Sequence, residues 1–167
     1  MTILSTERLH LREMEPRDAA FLHALLTDAD FLANIGHRGV DTIEDAERVI
    51  EERFRTGYAA NGWGMWVVEA DDVAIGMAGL VKRDGLDHVD VGYAFLPSAR
   101  GRGYAYEASR GVLDWAERQG IAPVVAIVSP GNAASVRVLD KLGMVAERLI
   151  RLPGGGDDVM LYVPGGR

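Results

Sequence analysis

Apolar positions recur along this chain with two periods, and the switches between them lay out the expected elements. Alternation by two, the mark of a half-buried strand, runs over residues 7–14, where Leu9 and Leu11 stand between polar neighbours. It returns over 63–69 and 73–82, joined by a tight Asp71-Asp72 turn that predicts an antiparallel hairpin. Gly76 and Gly79 inside the second of these strands imply a bulge or a close neighbouring backbone. Further strands are expected over 89–96, 123–129, 148–152 and 159–163, the last two forming a hairpin around Pro153 and its three following glycines.

Helical spacing fills the gaps. Pro16 in a first turn opens a helix to about Thr27, with Ala19, Leu22, Leu25 and Leu26 on its apolar face. Residues 28–40 read as a loop anchored by Phe31. Thr42 and Asp45 make a capping box for a second helix, with Ile43, Ala46, Ile50 and Phe54 as its buried stripe. A third helix spans about 103–119, with Ala105, Ala108, Val112 and Trp115 on one face and Gly120 as its cap. A fourth runs from Asn132 through Leu142 to Gly143. The apolar run PVVAIVS at 123–129 suggests burial on both faces, so it should lie parallel to 89–96 across a right-handed crossover. The expected architecture is α/β, with about seven strands, mostly antiparallel around one central parallel pair, and about four helices.

Composition narrows the class. The chain has 167 residues, enough for one domain with a real core, and no repeat or linker divides 1–167. Charged residues at 26% and hydrophobic ones at 48% fit a soluble globular protein. No stretch is apolar enough to span a bilayer and no secretory signal opens the chain, so a cytoplasmic protein is expected. Without cysteine there is no disulfide, thiolate metal site or cysteine nucleophile. His10, His23, His37 and His88 show no metal-ligand spacing, and no metal is expected. A net charge of −7 argues against nucleic acid and favours cationic partners.

The stretch that carries chemistry is DHVDVGYAFLPSARGRGYAYEA, residues 87–108: a strand, a glycine loop and a helix start. The first amides of a helix lack intrahelical partners, and glycines let a ligand approach the backbone, so this is an anion site suited to pyrophosphate. Arg100, Arg102 and Arg110 cluster there in an otherwise acidic chain. A P-loop lysine is missing after Gly103, and Tyr106 stands where a dinucleotide fingerprint needs a third glycine.

Arg100, Gly103 and Ala105 resemble the Arg-x-x-Gly-x-Ala signature of the GNAT acyltransferase superfamily. Asn132-Ala-Ala-Ser135 through Lys141-Leu-Gly143-Met144 resembles its second motif, and the opening TERLHLREMEPRDAAFL resembles the branch containing the ribosomal-protein N-terminal acetyltransferases. That resemblance implies a mixed sheet whose central parallel strands splay apart to admit the pantetheine arm of acetyl-CoA. It implies cofactor contacts from Phe95 and Leu96, from Arg100, Gly101, Arg102, Gly103, Tyr104 and Ala105, and from Asn132 and Ser135. Backbone amides near Phe95 would stabilise the oxyanion.

For catalysis the resemblance nominates Asp90 as general base, with Glu69 in reserve. By strand alternation Asp90 shares a face with Gly92 and Ala94, which leaves room for a ligand, although a solvated strand-end charge accounts for it equally. Relatives often carry a tyrosine acid where this chain has Leu139, which shifts that role to Ser135 or water. Trp63, Trp66, Tyr93, Tyr104 and Tyr106 are candidate pocket aromatics or simply core. The resulting expectation is acetyl transfer from acetyl-CoA to the primary amine of a peptide or small molecule, preferably an α-amine, by a monomer or homodimer. The competing expectation is a CoA-binding regulatory protein on the same fold, without turnover.

Overall fold

A computed structural model describes residues 1–166. The order is β1 (Thr2–Ser5), β2 (His10–Arg12), α1 (Ala19–Leu26), α2 (Ala29–Asn34), α3 (Ile43–Val49), α4 (Thr56–Asn61), β3 (Met65–Ala70), β4 (Val73–Val81), β5 (Asp90–Phe95), α5 (Tyr104–Arg118), β6 (Ala126–Val128), α6 (Ala133–Lys141), β7 (Met144–Ile150) and β8 (Val159–Pro164). Strands β1 to β5 form one antiparallel sheet in sequence order, and β6, β8 and β7 form a second. The mixed α/β class is as expected, while the details shift. The strand expected over 7–14 is shorter, His10–Arg12, and forms a hairpin with an unforeseen strand, Thr2–Ser5, because residues 6–9 turn through a Thr6 N–H to Leu9 carbonyl bond of 2.9 Å. The segment read as a loop holds the short helix α2, started by the Asp28 side chain accepting from the Phe31 amide at 3.1 Å.

The second expected helix runs from 43 to 61 with a π-helical stretch, Ile50–Arg55, between α3 and α4. Its capping box is present: the Asp45 amide donates to Thr42 Oγ1 at 3.0 Å and Thr42 N–H donates to the Asp45 carboxylate at 3.2 Å. Ile43 is exposed, and Val49 joins Ala46 and Ile50 in the core instead. The Asp71-Asp72 turn takes positive φ at both residues, 51° and 63°, the twist that suits a tight hairpin.

Gly79 is required by close approach: a Cβ there would overlap the Gly64 carbonyl and crowd Met65. Gly76 faces Phe95 and the Ala94 carbonyl in the same way. The register slips between Val68 and Glu69, leaving Ile75 as the extra residue of a bulge in β4. One core joins sheet and helices. Trp66 meets Trp115 of α5 edge to face at 4.9 Å, and Ala108, Val112 and Ala116 bury the inner face of α5. Below it, Arg12 ties the first helical turn to the sheet, bidentate to Asp18 at 2.8 and 2.9 Å and bonded to Glu69 at 2.8 Å.

Candidate active site

The two sheets touch at one point and then part. Val91 N–H donates to the Val125 carbonyl and Val125 N–H to the Val89 carbonyl, both at 2.9 Å, which makes a single parallel bridge between Asp90 and Val125. Beyond it β6 turns to pair with β8, with Ile127 opposite Leu161, so the parallel pair is a V rather than a ladder. Antiparallel strands send successive residues' backbone groups to alternate sides. Val91 bonds toward β6 and Leu96 N–H bonds back to the Ile75 carbonyl at 2.9 Å, so the amides of Tyr93 and Phe95 face the edge that β6 has left.

At the wide end of the V lies the glycine loop. Pro97–Ala99 form one 3₁₀ turn, and Gly101 and Gly103 take positive φ of 74° and 79°, conformations that favour glycine. The first helical bond runs from Glu107 N–H to the Gly103 carbonyl, and the amides of residues 101–106 donate no hydrogen bond among the described residues. That row of free donors at the start of a 15-residue helix fits a phosphate group.

The arginines divide in a way the sequence did not foretell. Arg100 binds Asp28 at 2.6 Å and Asp30 at 2.5 Å, and also donates to the Phe95 carbonyl at 3.1 and 3.2 Å. Its side chain therefore pins the loop to α2 rather than standing free for an anion. Arg110 pairs with Asp114 at 3.1 Å, whereas the exposed Arg102 side chain has no partner among the described residues. Tyr104 and Tyr106 stack under the cations of Arg8 and Lys141, at 4.5 and 4.6 Å.

A cleft of about 1030 Å³ opens between β5 and β6, walled by the α2–α4 helices and by the turns at 82–84 and 152–157. It brings together Asp90, Tyr93, Asn132, Ser135 and Leu139. Asp90 is not a solvated strand-end charge: it is 1% exposed, and Arg83 Nε donates to its two oxygens at 3.0 and 3.2 Å. Burial pushes its carboxyl up to about 6 against the pull of Arg83. Glu69 does not line the cleft and is engaged by Arg12, so it is placed for structure rather than as the reserve base.

Across the cleft, the Asn132 side chain caps α6 by accepting from the Ser135 amide at 3.3 Å. Leu139, at the position where the family resemblance implies a tyrosine, is buried in the cleft wall. A phenol is nevertheless present from the opposite side: the Tyr93 hydroxyl is buried with no well-formed hydrogen bond. Burial pushes that phenol up, and the neighbouring Ser135 side chain pulls it partly back. Tyr93 and Trp63 line the cleft, while Trp66 belongs to the core. Sequence reasoning missed Arg38 and Arg53, which also line it from the helical wall, because neither sits in a motif.

A splayed strand pair, a helix start with free amides and a buried carboxylate coincide with one known family. Residues 8–145 match the acetyltransferase (GNAT) domain. The chain belongs to the GNAT family. It is 34% identical over 159 residues to the Bacillus subtilis protein YkkB, covering 90% of this chain and 89% of that one. A GNAT-family acetyltransferase from Bacillus anthracis superposes with a TM-score of 0.80 at 26% identity, over 98% of this chain and 97% of the other. RimL, a ribosomal L7/L12 α-N-protein acetyltransferase solved with coenzyme A, superposes with a TM-score of 0.83 over 98% and 97%; at 18% identity it shares the fold. The protein is an acetyl-CoA-dependent acetyltransferase of this family.

Proposed function

We propose that this acetyltransferase acts on a primary α-amine of a peptide or small molecule, by direct attack in a ternary complex. The observation that carries the reading is the placement of Asp90 and the unpaired β5 edge in one cleft: a buried base with a pKa of about 6 beside amides free to hold an acyl oxygen. The free amides of 101–106, with Arg102, would hold the pyrophosphate of acetyl-CoA. Tyr93 and Phe95 N–H groups would take the pantetheine arm and the developing oxyanion.

Asp90 accepts the proton of the incoming ammonium, directly or through water. The amine nitrogen then bonds to the thioester carbonyl carbon, the C–S bond breaks, and the second proton shed by the nitrogen passes through Ser135 or water to the leaving thiolate. Asn132 fixes the α6 start that presents Ser135.

Leu139 favours a second reading, in which the fold binds CoA without turnover. The test is release of free CoA thiol from acetyl-CoA against a panel of peptides, amino acids, polyamines and aminoglycosides. Transfer to an α-amine is the expected outcome. Tight CoA binding with no acetylated product from any acceptor would establish the second reading.

A further inference from the structure

The net charge of −7 points toward cationic partners, yet the cleft beside Asp90 is charged the other way. Arg38, from the loop after α2, and Arg53, from the π-helical stretch, enter the cleft from the helical wall. They are neighbours, since Arg53 Nη1 donates to the Arg38 carbonyl at 3.3 Å. Neither guanidinium has a carboxylate within salt-bridge distance among the described residues. Arg83 lines the cleft from the strand side; its bond to Asp90 uses Nε alone, and its Nη groups make no hydrogen bond among the described residues. Lys82 adds a fourth cation; Asp84 and Asp157 also line the cleft but pair with none of these. Although its residue is exposed at the cleft rim, the Arg38 guanidinium is held below its usual range by partial desolvation and by repulsion from Arg83 and Arg53, with no carboxylate offsetting either.

Arg38 and Arg53 have no carboxylate of their own among the described residues and Arg83 has only Asp90, so an anion bound among the three relieves their mutual repulsion. Planar guanidiniums suit carboxylate or phosphate oxygens taken two at a time. Because Arg83 holds the base through Nε and lies near enough to Arg38 to repel it, an anion bound among these arginines lies close to the reacting amine.

We infer that Arg38, Arg53 and Arg83 form an anion subsite of the acceptor cleft, so that the acceptor is an amine carrying a carboxylate or phosphate within a few bonds. This rests on the acetyltransferase mechanism proposed above and adds the charge of its acceptor. Global charge and local charge then divide the work: the acidic surface repels bulk polyanions, while the cleft selects one small anionic group beside an amine.

The experiment offers four C-terminally amidated peptides that begin with the same free serine and differ at the second residue: Asp, phosphoserine, Asn or Lys. Initial rates are compared at equal concentrations of neutral amine. The expected result is a kcat/KM about tenfold or more above the Asn peptide for Asp, phosphoserine or both, with the Lys peptide slowest. The better of the two anionic peptides identifies carboxylate or phosphate as the group recognised. In Arg38→Gln/Arg53→Gln, both exposed positions that carry no core packing, the ratio of acidic to Asn peptide should fall to about one, and Arg38→Lys/Arg53→Lys should restore part of it. Transfer that ignores the second residue, or a preference that survives the glutamine pair, overturns the anion subsite alone. Absence of acetyl transfer to every peptide overturns the acceptor assignment and the mechanism beneath it.

Discussion

Arg83 Nε donates to both carboxylate oxygens of Asp90, at 3.0 and 3.2 Å, and the carboxyl still sits at about 6. Desolvation of a side chain 1% exposed outweighs an ion pair to a partner 28% exposed, because the arginine charge is screened by the water it reaches. The pair thus holds the carboxylate in place without making it a weak base. Replacing Asp90 with Asn should lower kcat by about 10²–10⁴-fold with little change in CoA affinity. Glu69→Gln is expected to leave kcat nearly intact, and the reverse result would move the base to β3.

The rate profile should carry the same signature. For wild type, kcat in the ternary complex should rise as pH increases through about 6, when Asp90 loses its proton. Arg83→Met removes the cation that lowers this pKa, so the inflection should move to higher pH. An unmoved inflection would assign it to another group.

Stability should run in the opposite direction to activity. The folded carboxyl, at about 6 against 3.8 unfolded, binds its proton more readily in the folded state. That favours folding fully below about pH 4 and is lost as pH rises through about 6, an effect of about 3 kcal/mol. Wild-type stability relative to Asp90→Asn should fall between pH 4 and pH 7 in urea titrations. Parallel curves across that range would show that Asp90 titrates normally.

Within the loop, Gly103→Val should abolish most CoA binding, since a β-branched residue at φ 79° is strained and its side chain fills the approach to the free amides. Arg102→Ala should weaken binding only slightly, as an exposed charge. Arg100→Ala differs from both: it breaks the link between β5, the loop and α2, so it should lower thermal stability as well as affinity. Calorimetry with parallel melting curves separates the three.

Ser135→Ala should slow thiolate departure modestly, because water can replace a hydroxyl donor. Tyr93→Phe, in contrast, deletes a buried hydroxyl with no well-formed hydrogen bond, so it should leave stability unchanged or raise it slightly. A large loss of stability in Tyr93→Phe would reveal a structural bond to that hydroxyl.

How far the sequence could be read follows from what encodes each feature. Features carried by local chemistry were legible: the Asp71-Asp72 turn, the Thr42 capping box, the glycines at 76, 79, 101 and 103, and the α5 start. The parallel contact of 89–96 with 123–129 was legible as a pair but not as one bridge, because splaying depends on β8 claiming β6. The short helix α2 was hidden because six residues give too little periodicity. Arg100 looked like a phosphate ligand, since no local rule links it to Asp28 and Asp30, about seventy positions away. The burial of Asp90 and the meeting of Arg38, Arg53 and Arg83 are likewise products of tertiary packing.

The preference among amines follows from the same carboxyl. At pH 7 an α-amino group with a pKa near 7.8 is roughly one-eighth neutral, whereas a lysine near 10.4 is neutral about once in 2,500. A base at about 6 must draw the proton uphill by about 2 pH units from an α-amine but by more than 4 from lysine, roughly 2.5 against 6 kcal/mol. Among the described residues lining the cleft the other carboxylates, Asp84 and Asp157, are exposed, and the nearby arginines disfavour a second ammonium. One short acidic peptide should therefore be acetylated much faster with only its N-terminus free than with only a lysine free. A preference for the lysine form would show that a second group, or a different mode of desolvation, removes the proton.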